Sequence, residues 1–372
     1  MYNHNKIKIA CLLLLITCTA PVAWGQIVYG QPPVGKVQFI YTHWESEAFG
    51  VEASINQISM PVSALIPVKD NLEFRFFTAG VSNSLDIGNS DYSLNGLSDT
   101  RVQVNQSFSD DQILLSVGVN LPTGKRELNL EEYGVMTVLT QNFLTFPMRR
   151  LGEGFGLNLL LGGATEMNDI RLGASAAFLY AGTYTAYEGG GDYNPGDWIT
   201  LSADIQGGED EFTWIGGLSY ANASVDKMDD REIYDQGQSF SIAFGGRYLM
   251  DNKTINAATR YLIRGRNTSY DDEEDIVYQL KYYGNEFYIG GDMSWTFDKI
   301  WYAGPLLDLR FIGGNEFDLG ASHLIGFGLQ GGRDIGSGLN LGALFKYFTG
   351  SANDGDFDIS GYQINVSLSG TF

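Results

Sequence analysis

The chain has 372 residues, 44 acidic against 23 basic side chains and a formal net charge of −21, an acidity that argues against nucleic acid as a partner. Both cysteines, Cys11 and Cys18, fall in the first 25 residues, so the remainder has no thiol or disulfide chemistry. A mean hydropathy of −0.09 is wrong for a helical membrane protein but fits strands with one apolar and one wet face. The 47 glycines, 22 Phe and 21 Tyr suit closely paired strands with aromatic girdles.

Lys6 and Lys8 precede an apolar run from Ile9 to Ile16, and Ala23-Trp24-Gly25 has the small-x-small form of a cleavage site. This predicts a secretory signal over 1–25, a mature chain starting at Gln26 and a short periplasmic segment over 26–35. Leu15-Ile16-Thr17-Cys18 loosely matches a lipoprotein site, with a poor fit at Thr17. The apolar run is too short to span a membrane as a helix, and no other window comes close. If the chain is membrane-embedded, only a closed barrel satisfies its backbone there.

From 36 onward, period-2 segments predict an all-β chain of about sixteen strands, with fourteen as the alternative. They are 36–45, 52–66, 71–82, 99–108, 112–121, 155–166, 169–184, 197–207, 211–224, 237–250, 254–267, 285–297, 301–312, 320–333, 338–349 and 360–372. Tight breaks alternate with longer ones at 83–98, 122–154, 185–196, 225–236, 268–284 and 350–359. Short periplasmic turns alternating with long outer loops are the pattern of an up-and-down outer-membrane β-barrel over 36–372. The last strand is the clearest. Tyr362, Ile364, Val366, Leu368 and the terminal Phe372 lie on one face, and Gln363, Asn365, Ser367 and Ser369 on the other. A closing strand ending in Phe implies outer-membrane lipid and the barrel-assembly machinery as partners.

Charges share the small-polar face throughout, as a barrel in lipid requires, because a lipid-side charge at mid-depth costs about 2–4 kcal/mol. The inward set is Glu73, Arg75, Arg101, Arg171, Asp204, Arg247, Arg260, Arg264, Asp292, Asp308, Arg310 and Lys346. It reads either as an electrostatic filter for permeants or as ion pairs that prop the lumen, for instance Asp308 with Arg310. Arg247, Arg260, Arg264 and Arg310 form a local positive wall.

One helix is expected, over 129–147 in the longest outer loop. Asn129 and Glu132 form a capping box, Tyr133, Met136, Leu139, Phe143 and Phe146 follow at helical spacing, and Pro147 ends it. Folded inward, it would constrict the mouth and offer aromatics to an apolar solute; otherwise it caps the rim or lies at the lipid interface. Acidic clusters at Asp226-Asp229-Asp230-Glu232, Asp271–Asp275 and Asp354-Asp356-Asp358 match no full calcium-loop pattern and read as a solvated rim rather than a metal site. His43 and His323 are the histidines left after the signal; His323 adjoins Ser322, which faces the opposite side of the strand, and His43 aligns with Tyr41 and Phe39 and reads as interfacial. No enzyme, cofactor or metal is expected.

Leu114-Leu115-Ser116-Val117-Gly118-Val119-Asn120-Leu121-Pro122-Thr123-Gly124-Lys125 resembles a strand-Pro-Thr-Gly-turn element of the phenol meta-pathway (MetA-type) outer-membrane transporter family. Pro61 to Phe76, Gly96-Leu97-Ser98-Asp99-Thr100-Arg101 and Tyr193-Asn194-Pro195-Gly196-Asp197-Trp198 are similar to further elements of that family. The long-chain fatty-acid channel family is a more distant likeness, and the ten residues at 26–35 are short for its N-terminal hatch. The resemblance implies an outer-membrane channel for passive uptake of small hydrophobic or aromatic molecules. The polar lumen favours a general or anion-leaning diffusion porin instead, and a non-transporting structural barrel is the third reading.

Overall fold

A computed structural model of the chain describes residues 33–48, 51–271, 273–317 and 319–371. The expected signal and Phe372 lie outside these. In chain order β1 is Val34–Ala48, β2 Val51–Lys69, β3 Leu72–Ile87, β4 Ser90–Leu97, β5 Thr100–Phe108 and β6 Ile113–Leu121. Helix α1, Leu130–Leu139, follows in the long connection to β7, Gly156–Met167, and β8, Ile170–Ala181. Next come β9 (Tyr184–Thr185), β10 (Asp192–Asn194), β11 (Trp198–Gly208), β12 (Phe212–Ala223), β13 (Asp226–Met228), β14 (Arg231–Asp235) and β15 (Ser239–Met250). The remainder are β16 (Lys253–Arg264), β17 (Asn267–Tyr270), β18 (Ile276–Leu280), β19 (Glu286–Phe297), β20 (Trp301–Ile312), β21 (Ser322–Gly336), β22 (Leu339–Ala352) and β23 (Phe357–Thr371).

Seventeen of these strands, with β4 and β5 together making one wall strand, close into a sixteen-stranded antiparallel barrel. Closure is made by β1 against β23, where Val34 faces Thr371 and Tyr41 faces Ile364. Ile364, Val366 and Leu368 of β23 point outward, 38–45% exposed, while Gln363, Asn365 and Ser367 point inward. The same parity runs round the wall. Phe240, Ile242 and Phe244 of β15 face out while Arg247, on the opposite parity, is buried inside. Exposed apolar side chains on every wall strand form an outer belt that only a bilayer covers, which makes the chain an outer-membrane barrel. Turns at the end carrying the termini are tight. Asp298 and Lys299, both at positive φ, connect Phe297 to Ile300 as a two-residue turn whose twist matches the flanking strands.

The other end is more built up than the sequence reading of loops at 83–98, 185–196, 225–236 and 268–284. β3 does not stop at 82. Its upper half pairs with β4 and its lower half with β5, with a one-residue register slip at Ser98–Asp99. So β4 and β5 are one long strand carrying a bulge, and the β1–β5 wall rises above the bilayer. On the opposite side three hairpins, β9–β10, β13–β14 and β17–β18, join into a second sheet of six strands. These strands are two to five residues long, too short to register as a period.

The helix starts as expected. Asn129 Oδ1 accepts from the Glu132 N–H at 2.9 Å, and the Asn129 N–H donates back to Glu132 Oε2 at 3.2 Å. It ends eight residues earlier than the expected 147. The hydroxyls of Thr137 and Thr140 bond back to the carbonyls of Tyr133 and Thr137, which competes with the helical ladder. Burial then takes the chain over. Leu139, Leu144, Phe146 and Leu151 join Trp44, Ile55, Val81, Phe348 and Ile359 of the barrel wall in one apolar cluster. This cluster is the barrel's only large dry core among the described residues, and it lies in the mouth.

Candidate functional site

Residues 140–153 leave α1 and run into the mouth, and two wall residues fix them there. Gln57, fully buried on the inner face of β2, donates from Nε2 to the Met148 carbonyl at 2.6 Å and accepts from the Met148 N–H at 3.0 Å. Its Nε2 also reaches Asn83 Oδ1 at 2.8 Å. Asp99, at the β4–β5 bulge, accepts from the Gly124 N–H at 2.8 Å, Asn120 Nδ2 at 2.9 Å and the Glu153 N–H at 2.7 Å. The backbone thus crosses the inside of the barrel on side-chain hydrogen bonds that replace a strand neighbour.

Just past this clamp stand Arg149 and Arg150, both solvent-exposed. Arg150 pairs with Glu153 at 3.1 Å. Arg149 makes no ion pair among the described residues; its Nη2 donates to the Leu144 carbonyl at 3.3 Å. The wall it faces carries Arg310, Glu286 and Arg264. Partial desolvation, and then the Arg310 charge, hold the Arg149 guanidinium below its ordinary value.

The wall itself is built on one carboxylate. Glu286 of β19 is 2% exposed. Its Oε1 accepts from Arg260 Nη2 at 3.0 Å and Arg310 Nε at 2.9 Å, and its Oε2 from Arg264 Nη2 at 3.3 Å. Arg264 Nη1 also donates to the Gly284 carbonyl at 2.7 Å. Three guanidinium groups on one carboxylate leave the patch net positive inside a strongly acidic protein. Lower down, Asp308 pairs with Lys346. The sequence pairing of Asp308 with Arg310 is therefore not formed: Arg310 bonds to Glu286 of the neighbouring β19, and Asp308 reaches over Gly326 of β21 to Lys346 of β22. Asp292 accepts from Asn256 at 3.0 Å and Gln330 at 2.9 Å. Glu73 accepts from Arg75 Nε at 2.8 Å and Asn105 at 2.6 Å. Arg101, Asp204 and Arg247 lie on the same inner face of β5, β11 and β15.

The aromatics expected to constrict the mouth are placed differently from one another. Leu139 and Phe146, 1% and 6% exposed, are sealed in the apolar cluster, and Met136 and Phe143 pack against it. Tyr133 is 38% exposed and meets Tyr187 edge-on at 5.6 Å. Further aromatics sit in the hairpin sheet and in the connections flanking β19 and β20. Tyr184 lies edge-on to Tyr193 at 5.5 Å, Tyr282 packs on Phe317 at 5.2 Å, and Tyr283 lies 5.9 Å from the Arg264 guanidinium. Tyr193 donates its hydroxyl to Asp226 at 2.6 Å, and the same carboxylate accepts from the Gly196 N–H at 2.7 Å.

The wall between β7 and β15 is lined by small side chains. One ladder row runs Gly162, Ser175, Ser202, Ser219, Ser241 and on through Leu262 to Glu286. Sequence reasoning missed Glu286 as a hub, Gln57 as a clamp and Arg149 altogether. The signals were present. Arg149-Arg150 is an adjacent basic pair in an acidic chain, two residues after Pro147, and Glu286 shares the polar face of its strand with Tyr288 and Asp292.

The fold and its outer belt define a class, the sixteen-stranded transmembrane β-barrel of the outer membrane. No protein-family model matches the chain, and no curated protein matches it in sequence. Among solved structures it is similar to the outer membrane protein OprD from Pseudomonas aeruginosa, at 8% identity and a TM-score of 0.47, over 92% of this chain and 96% of that one. It is similar to Acinetobacter baumannii OccAB4 at 10% identity and 0.46, over 92% and 99%. The anion-selective porin from Comamonas acidovorans matches at 10% identity and 0.43, over 91% and 98%. At these scores the likeness adds nothing to the fold already described.

Proposed function

We propose that the protein is a passive diffusion channel of the outer membrane, leaning toward small anions. The observation that carries this is the Glu286 hub, where Arg260, Arg264 and Arg310 share a single carboxylate. Like charges gathered on a wet inner wall lower the barrier for anions and raise it for cations. The row of Gly and Ser across β7–β15 supports a hydrated lane beside that wall, because such side chains leave a barrel of this strand number open. Solutes would cross down their gradient, ordered by charge and size, with no bond made or broken.

Uptake of small hydrophobic or aromatic molecules is the second reading. Tyr184 and Tyr193 of the hairpin sheet, with Tyr283 of the connection after β18 beside Arg264, support it. Swelling of liposomes loaded with the protein separates the two. An anion-leaning channel admits a small carboxylate faster than a neutral sugar of equal size. A preference for an uncharged aromatic over both would transfer the assignment to the second reading. No swelling with any solute would leave a structural barrel.

A further inference from the structure

We infer that Arg149, projected into the mouth opposite Arg264 and Arg310, forms an anion-binding constriction, and that Gln57 is the residue that positions it. The inference rests on the channel reading above and names the recognition element within it.

Three observations combine. Arg149 is a solvent-exposed cation inside the barrel, without an ion-pair partner among the described residues. The carboxylate nearest in its field, Glu286, is already bonded to three arginines, so it has little left to offer a fourth. Three guanidinium groups therefore hold one carboxylate, and Arg149 adds a fourth positive charge that this carboxylate does not pair. Collecting like charge in this way costs free energy, and a mobile anion seated between Arg149 and the wall removes that cost. A guanidinium presents a planar fork of donors, which fits chloride and carboxylate or phosphate oxygens alike.

The second part concerns why Arg149 stays there. The segment that carries it is not a strand and has no ladder to hold it. Gln57 supplies both hydrogen bonds that a strand neighbour would have made to Met148, from a fully buried position. Asn83 orients the Gln57 amide and itself donates to the Leu94 carbonyl at 2.7 Å. The chain Leu94–Asn83–Gln57–Met148 thus ties the backbone one residue before Arg149 to three wall strands. A side chain of the wrong length or polarity at 57 would leave the barrel closed and let Arg149 drift.

The test is the reversal potential of single channels in planar bilayers under a potassium chloride gradient, for wild type, Arg149→Ala, Arg264→Ala, Gln57→Leu and Gln57→Asn. Heat-modifiable migration of each variant establishes that the barrel has formed. Arg149→Ala is expected to lower the chloride-to-potassium permeability ratio roughly twofold or more, and Gln57→Leu to lower it in the same direction with the charge count unchanged. Gln57→Asn keeps the amide but is one methylene too short to make both bonds, so it reports even if the leucine variant fails to assemble. A normal ratio in both assembled Gln57 variants, with a shifted one in Arg149→Ala, overturns the clamp. A shift in Arg264→Ala with none in Arg149→Ala overturns the Arg149 site while leaving the channel reading intact. No shift in any arginine variant removes the anion-leaning reading itself.

Discussion

Asp99 and Gly124 are 25 residues apart in sequence, and the Asp99 carboxylate accepts the Gly124 N–H at 2.8 Å. Two of the segments that carry the family resemblance, Gly96–Arg101 and Pro122–Gly124, therefore meet in space. They form the joint at which the long loop leaves the barrel wall. Gly124 has no room for a side chain: a Cβ there would lie 2.2 Å from the Leu151 carbonyl oxygen and 2.7 Å from the Asp99 nitrogen. Gly196 plays a similar part in the third segment, with Ser224 O at 1.8 Å from a built Cβ and Asp226 accepting its N–H.

Asp99→Ala strands three donors, from Asn120, Gly124 and Glu153. A buried donor left without a partner costs about 1–3 kcal/mol. The loop over 122–155 should become sensitive to protease added outside, while heat-modifiable migration shows an intact barrel. Resistance equal to wild type would mean that the joint is held elsewhere.

The barrel was legible because the bilayer imposes a strict period: residues such as Phe240, Ile242 and Phe244 cannot exchange places with Ser241 and Ala243. Beyond the bilayer that constraint ends. The outward positions Ser82, Ser84 and Asp86 of β3 are polar, so the strand goes on while the apolar alternation that marks it disappears. The helix was overextended for a related reason. Phe143 and Phe146 continue the helical spacing of Tyr133, Met136 and Leu139, but they are apolar because Trp44 and Phe348 wait on the wall. The charged residues could be assigned a face, not a partner. Partners depend on which strands stand side by side and on what lies between them: Arg310 bonds Glu286 on adjacent β19, and Asp308 reaches Lys346 of β22 across Gly326 of β21.

Face parity makes a sharp comparison. Phe244 is 51% exposed on the outer face of β15, while Ser241 points inward. Phe244→Arg puts a charge into lipid near mid-strand and should cost about 2–4 kcal/mol. Ser241→Arg should be tolerated by folding and alter conductance instead. Folding yields in lipid vesicles decide it; equal losses would contradict the register.

Phe146 is 6% exposed in the apolar cluster. Removing a buried Phe costs about 3–5 kcal/mol, so Phe146→Ala should loosen the loop and raise the noise of the open-channel current. Tyr133→Ala, which loses one edge contact with Tyr187, should cost about 1 kcal/mol. The reverse ranking in loop proteolysis would place the helix face, not the descending segment, at the anchor.

High pH should act on the hairpin sheet first. Burial, partly opposed by Arg150, pushes the Tyr184 hydroxyl up from 10.0 to about 12. Burial, then Asp226, raises Tyr193 as well. The folded sheet thus keeps protons that the unfolded chain releases near pH 10. Their contribution to stability is complete below about pH 10 and is lost as pH rises toward about 12. Tyrosinate absorbance should show a late-titrating class of tyrosines that shrinks in Tyr184→Phe. A single transition near pH 10 would contradict the buried placement.

The most direct measurement is the reversal potential of the wild-type protein in a planar bilayer between unequal potassium chloride solutions. The expected result is a steady ohmic conductance with a reversal potential on the chloride side of zero, since the inner wall holds Arg260, Arg264 and Arg310 against Glu286. A potassium-favouring potential, or the absence of any conductance from assembled barrels, would contradict it.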